Sequence, residues 1–188
     1  MEFLYEIRIH ARAGQGAETT AQLIAETAFR CGRFVQAFPS YGPERTGAPM
    51  QTFVRISRVP IRIHSLVYRP NLVMVMDASL LKSENVISGL SERSWLIVND
   101  KRLPAELKTT LGYSGRLATI EASPLAQAAL GKNLPNMAVL AAAVRAINFV
   151  DAAILKQVVG EFFTKKYHEE IGRKNMALMT EAEKKIKY

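Results

Sequence analysis

The 188-residue chain is poor in the side chains that build staples and metal centres. It has one cysteine, Cys31, so neither an intramolecular disulfide nor a cysteine-ligated iron–sulfur cluster can be assembled from it alone. Its three histidines, His10, His64 and His168, lie far apart and show no metal-ligand spacing. No run of about 18 apolar residues occurs, so no transmembrane helix is expected. The start, Met1 to Glu6, has no basic region or apolar core of a signal peptide, and a cytoplasmic location is expected. There is no G-K-[ST] sequence, which excludes a Walker A loop. Acids are in deficit, with 17 Asp and Glu against 25 Lys and Arg, a net charge of +8. The excess is spread over the three thirds of the chain without a basic block, which argues against nucleic-acid binding and leaves anionic ligands or acidic partner chains open.

What is present is the material of a globular α/β fold. The apolar fraction is 48% and the charged fraction 22%, ordinary for a chain long enough to bury a core. Phe3 to Ala11 alternates and predicts a strand. Arg12-Ala13-Gly14-Gln15-Gly16 is a turn, Ala17 to Cys31 has helical spacing with Gly32 as a stop, and Phe34 to Phe38 predicts a second strand. Pro39 to Pro49 reads as a loop, with three prolines and two glycines. Further strands are expected at Met50–Arg58, Ile61–His64, Asn71–Asp77, Trp95–Asn99 and Leu117–Glu121. Ser79 is a candidate cap for a helix to about Ser88. From Ser123 onward the pattern is helical, with Pro124 at a first helical position, a restart at Leu134-Pro135-Asn136, and helices over Ile154–Tyr167 and Glu169–Lys187. The expectation is one domain over 1–188, a sheet core over 1–122 followed by a helical part over 123–188. Its fold is expected to be a Rossmann-like three-layer α/β sandwich, mostly parallel with an antiparallel part.

Two segments carry chemistry. The turn Ala13-Gly14-Gln15-Gly16-Ala17-Glu18-Thr19 follows a strand and opens a helix, where backbone N–H groups attract anions and glycines allow close approach. A dinucleotide fingerprint would place a third glycine where Thr19 stands, and the acid expected after strand two is absent near Phe38-Pro39. A packing turn, a phosphate site of another kind and a stand-alone NAD(P)-binding module all remain open on these residues. The loop Tyr41-Gly42-Pro43-Glu44-Arg45-Thr46-Gly47-Ala48-Pro49 is long and stiffened by proline, which marks a platform facing a ligand or a subunit. Arg45 is its candidate for pairing with carboxylate or phosphate, and Tyr41 its aromatic anchor. Asp77 ends a buried strand, where ligand crevices of α/β sheets form and where a helix cap is equally served. His10 is read as a satisfied structural histidine or one facing the turn. Cys31 and Trp95 are read as core or boundary residues. Met176, Met179 and Ile186 of the last helix are read as a face available to a partner.

Together the two segments resemble the gamma subunit, or gamma domain, of the 2-oxoacid:ferredoxin oxidoreductases, the pyruvate and branched-chain 2-oxoacid enzymes. Arg12-Ala13-Gly14-Gln15-Gly16 is similar to the family's Arg-Gly-Gly-Gln-Gly turn, and Phe38 to Pro49 matches its signature loop almost residue for residue. Arg55-Ile56-Ser57, Pro70-Asn71 and Asp77-Ala78-Ser79-Leu80-Leu81 resemble the following strands. Gly131-Lys132-Asn133 and Pro135-Asn136-Met137-Ala138 resemble its Asn-Pro-Asn helix start, with Leu134 inserted, and Asn175 matches a late helical asparagine. Ala11 and Ala13 depart from the pattern, standing where glycine-rich residues are usual; a methyl group at Ala13 disfavours positive φ there.

The resemblance implies a division of labour. The complex uses thiamine diphosphate with Mg2+ between alpha and beta subunits, [4Fe-4S] clusters in delta and sometimes beta, and coenzyme A. It decarboxylates a 2-oxoacid oxidatively and passes electrons to ferredoxin or to a flavin- or NAD-linked subunit. The gamma chain carries no cofactor of its own; it assembles the complex and helps bind coenzyme A. The implied contacts are Arg12, Gly14, Gln15 and Gly16 for coenzyme A or phosphate, the loop Tyr41, Gly42, Pro43, Glu44, Arg45, Thr46 and Gly47 for ligand or subunit, and Asn133 and Asn136 at a helix start nearby. No catalytic residue, no metal ligand, no nucleic acid and no membrane span are implied.

Overall fold

The computed structural model describes residues 4–40, 47–147 and 149–188. Six strands form one mixed sheet in the order β2-β3-β1-β4-β5-β6. They are β1 (Leu4–Arg12), β2 (Phe34–Ser40), β3 (Pro49–Ser57), β4 (Leu72–Val75), β5 (Trp95–Asn99) and β6 (Arg116–Ile120). Strands β1, β4, β5 and β6 run parallel, whereas β3 is antiparallel to both β1 and β2. The expected α/β class, with a mostly parallel sheet, an antiparallel part and a helical C-terminus, is what the chain forms.

The helices are α1 (Ala17–Arg30), α2 (Leu80–Ser83), α3 (Pro104–Leu111), α4 (Ala122–Leu130), α5 (Asn136–Ala143), α6 (Ala152–Lys166) and α7 (Glu169–Glu183). They are unevenly shared between the sheet's two faces. On one face α1 covers β2 and β3 while α5 covers β4 to β6, and α6 and α7 form a further layer outside them. All eight residues of α5 are buried, because it lies between the sheet and α7. Ile7, Ile9, Met74, Ile97 and Ile120 supply the sheet's side of this core. On the other face, Val73, Val75, Leu96 and Val98 pack with Leu80, Val86, Leu107 and Tyr113. A fully buried aliphatic side chain contributes about 1.5–3 kcal/mol, so both cores stabilise the β4–β6 half.

Several local expectations change. Ile61–His64 is not a strand; it alternates like one, but its backbone carbonyl at Ile63 accepts from the side chains of Gln36 and Arg55 instead of from a neighbouring strand. Pro39, Ser40 and Pro49, read as loop, are strand residues, and Pro39 is tolerated because β2 is an edge strand. The helix after Ser79 stops at Ser83. Pro124 is the third residue of α4, not the first. The final helix ends at Glu183, and Lys187 beyond it pairs with Thr119 on β6. Helix α3 was not foreseen, although Pro104 at its first position, Glu106 accepting from the Leu103 N–H at 2.9 Å and Gly112 at φ 62° are its punctuation. Met179 is buried and Met176 and Ile186 pack on the chain's own core, so the apolar face of α7 is not a free partner surface.

Candidate functional site

The glycine turn sits where the sheet changes direction. Strand β1 has a parallel neighbour, β4, on one side and an antiparallel one, β3, on the other, and the turn leaves β1 at its carboxyl end. This is the position at which open α/β sheets form ligand crevices. Gly14 (φ 97°) and Gly16 (φ 83°) take the left-handed conformations the turn requires, and no non-glycine residue has positive φ among the described residues. Ala13 therefore escapes the strain its methyl group threatened. Its N–H donates to the Ala48 carbonyl at 2.9 Å, and its carbonyl accepts from Gly47 N–H at 3.3 Å. Both backbone groups of Ala13 hold the end of the signature loop and are unavailable to a ligand. Tyr41, Gly42, Pro43, Glu44, Arg45 and Thr46 lie outside the described residues; of the implied contact residues Tyr41 to Gly47 only Gly47 is among the described ones.

Arg12 is spent within the chain. Its Nη1 donates to the Gly47 carbonyl at 3.0 Å, its Nη2 to Ser79 Oγ at 2.8 Å, and its Nε lies 3.4 Å from Asp77 Oδ2. Gln15 closes the same cluster. Its Oε1 accepts from the Arg12 N–H at 2.8 Å and its Nε2 donates to Asp77 Oδ2 at 2.9 Å. Burial pulls the Asp77 carboxyl upward, but Ser79's hydroxyl and N–H, the Gln15 amide and the Arg12 charge together outweigh it and hold the group below its ordinary value. Ser79 holds the N-cap position of α2 as expected, but its hydroxyl makes no capping bond and instead, with its N–H, donates to Asp77, which lines the crevice.

Two concavities open on either side of this turn. One, of about 640 Å³, lies across the carboxyl ends of β4 and β5 and is lined by Gln15, Asp77, Lys82, Asn99, Asp100 and Asn133 among others. The other, of about 310 Å³, has a polar floor of Gly14, Gly16, Lys132, Asn136 and Asn175 under an apolar wall that includes Phe163 and Tyr167. Asn133 and Asn136, predicted as one helix start near the site, thus face different concavities. Asn136 reaches the turn itself, with Nδ2 3.4 Å from the Gly16 carbonyl. The approach is tight, since a Cβ on Gly16 would lie 2.8 Å from Asn136 Cγ. Helix α1 starts at this second concavity with no side-chain cap, so its first turn presents backbone donors and the positive end of its dipole there. Lys132 forms no ion pair among the described residues.

Asn99 was not singled out from sequence. Its Nδ2 donates to Met76 O and Ser123 Oγ, and its Oδ1 accepts from the N–H groups of Ala122 and Ser123, tying the ends of β4 and β5 to the start of α4. Its signal was a polar Asn99-Asp100 pair ending a buried apolar run, the same pattern that marked Asp77. Burial draws the Asp100 carboxyl upward, yet the hydrogen bonds and charge of Arg102 and the Lys101 N–H keep it below its ordinary value. His10 does not face the turn as a ligand; it is 2% exposed within β1, and its Nε2 has no hydrogen-bond partner among the described residues. Burial first, and the Arg8 charge second, lower its pKa to about 3, so it is neutral at neutral pH. Cys31 is half-buried at the end of α1, and Trp95 packs partly buried on the core. Among the described residues no three His, Cys, Asp or Glu side chains gather as a metal site, and no helix is long and apolar enough to cross a membrane.

Residues 6–184, nearly the whole chain, match the family described as pyruvate ferredoxin/flavodoxin oxidoreductase. The chain belongs to that family. Among curated members it is 39% identical over 167 residues to pyruvate synthase subunit PorC of Thermotoga maritima, covering 89% of this chain and 86% of that one. It is 38% identical to the pyruvate/ketoisovalerate oxidoreductases common subunit gamma of Pyrococcus furiosus, covering 97% of each. The crystal structure of the pyruvate oxidoreductase subunit of T. maritima superposes with a TM-score of 0.85 at 33% identity, over 98% of this chain and 97% of that one. A 2-oxoglutarate:ferredoxin oxidoreductase of Magnetococcus marinus, solved with 2-oxoglutarate, coenzyme A and succinyl-CoA, shares the fold at a TM-score of 0.77 and 19% identity over 96% of this chain and 30% of that one. Within the pyruvate ferredoxin/flavodoxin oxidoreductase family this chain is a gamma-type subunit of a multisubunit oxidoreductase.

Proposed function

We propose that this gamma chain carries no redox centre and serves its complex by assembling it and by binding coenzyme A at the glycine turn. The overall reaction would be CoA-dependent oxidative decarboxylation of a 2-oxoacid to acyl-CoA and CO2. Alpha, beta and delta subunits would be its partners, and ferredoxin or a flavin- or NAD-linked subunit the electron acceptor. Thiamine diphosphate and iron–sulfur clusters would supply the carbanion and electron-transfer chemistry on those other chains. The donor set here does not fit either group: Cys31 is the sole thiol, and the Gly-Asp-Gly start of a thiamine diphosphate motif is absent.

The observation that carries the reading is the second concavity. Coenzyme A combines anionic phosphates with an adenine ring and an apolar pantetheine arm. The uncapped start of α1, Lys132 (in no ion pair among the described residues) and the second N–H of the Asn136 and Asn175 amides, whose first donates to Gly16 O and Ile171 O, suit the first, and the wall with Phe163 and Tyr167 suits the second. Glu18, the acid in the first turn of α1, lines a different hollow beside β2. Arg12 and Gln15 act by fixing the turn through Asp77, and the role of Tyr41 to Thr46 as a subunit or ligand platform rests on the sequence pattern alone.

The test is steady-state kinetics of the whole complex with Lys132→Ala and Asn136→Ala in this chain. The apparent KM for coenzyme A is expected to rise roughly tenfold, as loss of a charge-assisted contact would give, with kcat at saturating coenzyme A retained. An unchanged KM for coenzyme A in both variants rejects the site.

A further inference from the structure

The connection between β3 and β4, residues 58–71, has an inverted construction. It contains no regular structure, yet its backbone is fixed from beneath. Arg55, 1% exposed on β3, donates through Nη2 to Ser65 O at 2.7 Å and Leu66 O at 3.2 Å, and through Nη1 to Ile63 O at 3.5 Å. Gln36 Nε2 adds a bond to Ile63 O at 3.0 Å, and Ser94 Oγ donates to Pro70 O at 3.0 Å. Gly89 leaves room for the Tyr68 carbonyl, with which any side chain there would collide. Val67 is buried, but several of its neighbours are turned out. Ile63 and Leu66 are each 42% exposed and Tyr68 is 67% exposed. Three large apolar side chains exposed within six residues of one fixed segment have the composition of an interaction patch.

The same segment is cationic. Arg62, His64 and Arg69 are exposed around the three apolar residues, and no Asp or Glu occurs anywhere in residues 45–76. Neither Arg62 nor Arg69 forms an ion pair among the described residues. A groove of about 340 Å³ between Leu4, Val59 and Ile63 runs beside it. The platform covers β2 and β3 on the face that α3 leaves bare.

We infer that residues 61–69 are a preformed docking platform for another protein chain of the same complex, one whose contacting surface has an apolar centre bordered by carboxylates. This rests on the assembly reading above and specifies where on the chain that assembly occurs. Rigid apolar anchors ringed by arginine are the composition of interface hot spots. A second copy of this chain is disfavoured, because a face-to-face pair would oppose cation to cation with no acid between them. A nucleic-acid backbone would use the arginines but leave Ile63 and Leu66 without a role.

The test co-expresses the full chain with its complex and compares wild type, Arg62→Glu/Arg69→Glu and Leu66→Asp by retention of the chain through native size-exclusion chromatography. Both variants are expected to retain the chain at least about tenfold less well, while the isolated variant chains keep the wild-type melting temperature, since the altered side chains are exposed. In the wild-type complex, amide exchange over residues 61–69 is expected to slow on assembly; this readout stands even if a variant misfolds. A wild-type chain that elutes alone rejects the assembly reading and this inference with it. A wild-type chain that assembles, with both variants assembling equally well or with no slowing over 61–69, rejects the platform alone. Binding of the isolated chain to phosphatidylglycerol vesicles or to a DNA duplex, abolished by the same charge reversal, also overturns it in favour of an anionic surface.

Discussion

The two halves of the sheet solve the same problem differently. In the parallel half, β4, β5 and β6 are apolar on both sides, and helices or helical turns cover both cores. In the antiparallel half, β1 and β3 turn Glu6, Arg8, His10 and Arg55 toward a face that irregular segments cover. Irregular backbone brings carbonyls with no ladder partner, and buried carbonyls need donors. Arginine, with five N–H groups in a fixed fork, supplies them: Arg8 donates to Val86 O and Ser88 O, and Arg55 to the 63–66 carbonyls while its Nε holds Glu6 at 2.8 Å. The lesson is that a buried cation on a strand can be the fastener of a loop, and the glycine turn leaves β1 at the seam between the two constructions.

Breaking the fastener is expected to have the largest effect. Arg55→Ala removes the donor of several carbonyls and strands a half-buried Glu6, and a loss of about 3–5 kcal/mol is expected in denaturant unfolding. Adding Glu6→Gln to Arg55→Met is expected to recover part of that loss, because no lone charge remains; a double variant no better than Arg55→Ala would show that the carbonyls, not the charge, set the cost. In the parallel half, Leu96→Ala leaves a cavity in a wholly apolar site and is expected to cost about 2–4 kcal/mol with no dependence on salt or on a second substitution.

At the seam, Gly16→Ala meets both an unfavourable φ and Asn136, and about 2–3 kcal/mol is expected. Gly14→Ala, with nothing within 4 Å of its new Cβ, should cost only the backbone strain, about 1 kcal/mol. Equal losses for the two glycines would remove Asn136 from the account of the turn.

The smallest effect at neutral pH belongs to His10. Its folded pKa, about 3, lies below the ordinary value of 6.5, so the unfolded chain binds the extra proton between those limits. His10 therefore leaves stability whole above pH 6.5 and erodes it as pH falls, by up to about 1.4 kcal/mol per pH unit. Chemical unfolding of wild type and His10→Leu between pH 7 and pH 4.5 should show a shallower slope in the variant; parallel slopes would contradict a neutral buried imidazole. Asp77 acts in the same direction at lower pH, because its depressed pKa is a stabilisation lost only as the pH drops through it.

Much of this was legible from residue order. Buried parallel strands advertise themselves as short apolar runs, and Trp95–Asn99 was bounded to the residue. The glycine turn, the stop at Gly32 and the family pattern around Phe38 to Pro49 all depend on local conformational demands that a few adjacent residues express. The polar face of β1 and β3 was not legible in this way. Arg8 and Arg55 alternate with apolar neighbours as solvent-facing strand residues do, and only the loops folded over them make them buried. Ile61–His64 alternates as well, but a strand exists only where a neighbour offers a ladder, and here side chains offered bonds instead.

Residue order was enough for the α/β class, the mixed sheet, the family and the turn at the end of β1, because each follows from periodicity, glycine stereochemistry or a contiguous motif. Tertiary structure alone decided which side of that turn each residue faces. It set Arg12 against Asp77 across 65 positions of chain, parted Asn133 from Asn136 into separate concavities, sealed the apolar face of α7 inside the molecule and turned Ile63, Leu66 and Tyr68 outward. Those outcomes depend on contacts between residues far apart in the chain, where strand order and the packing of loops, not local preference, fix what a side chain meets.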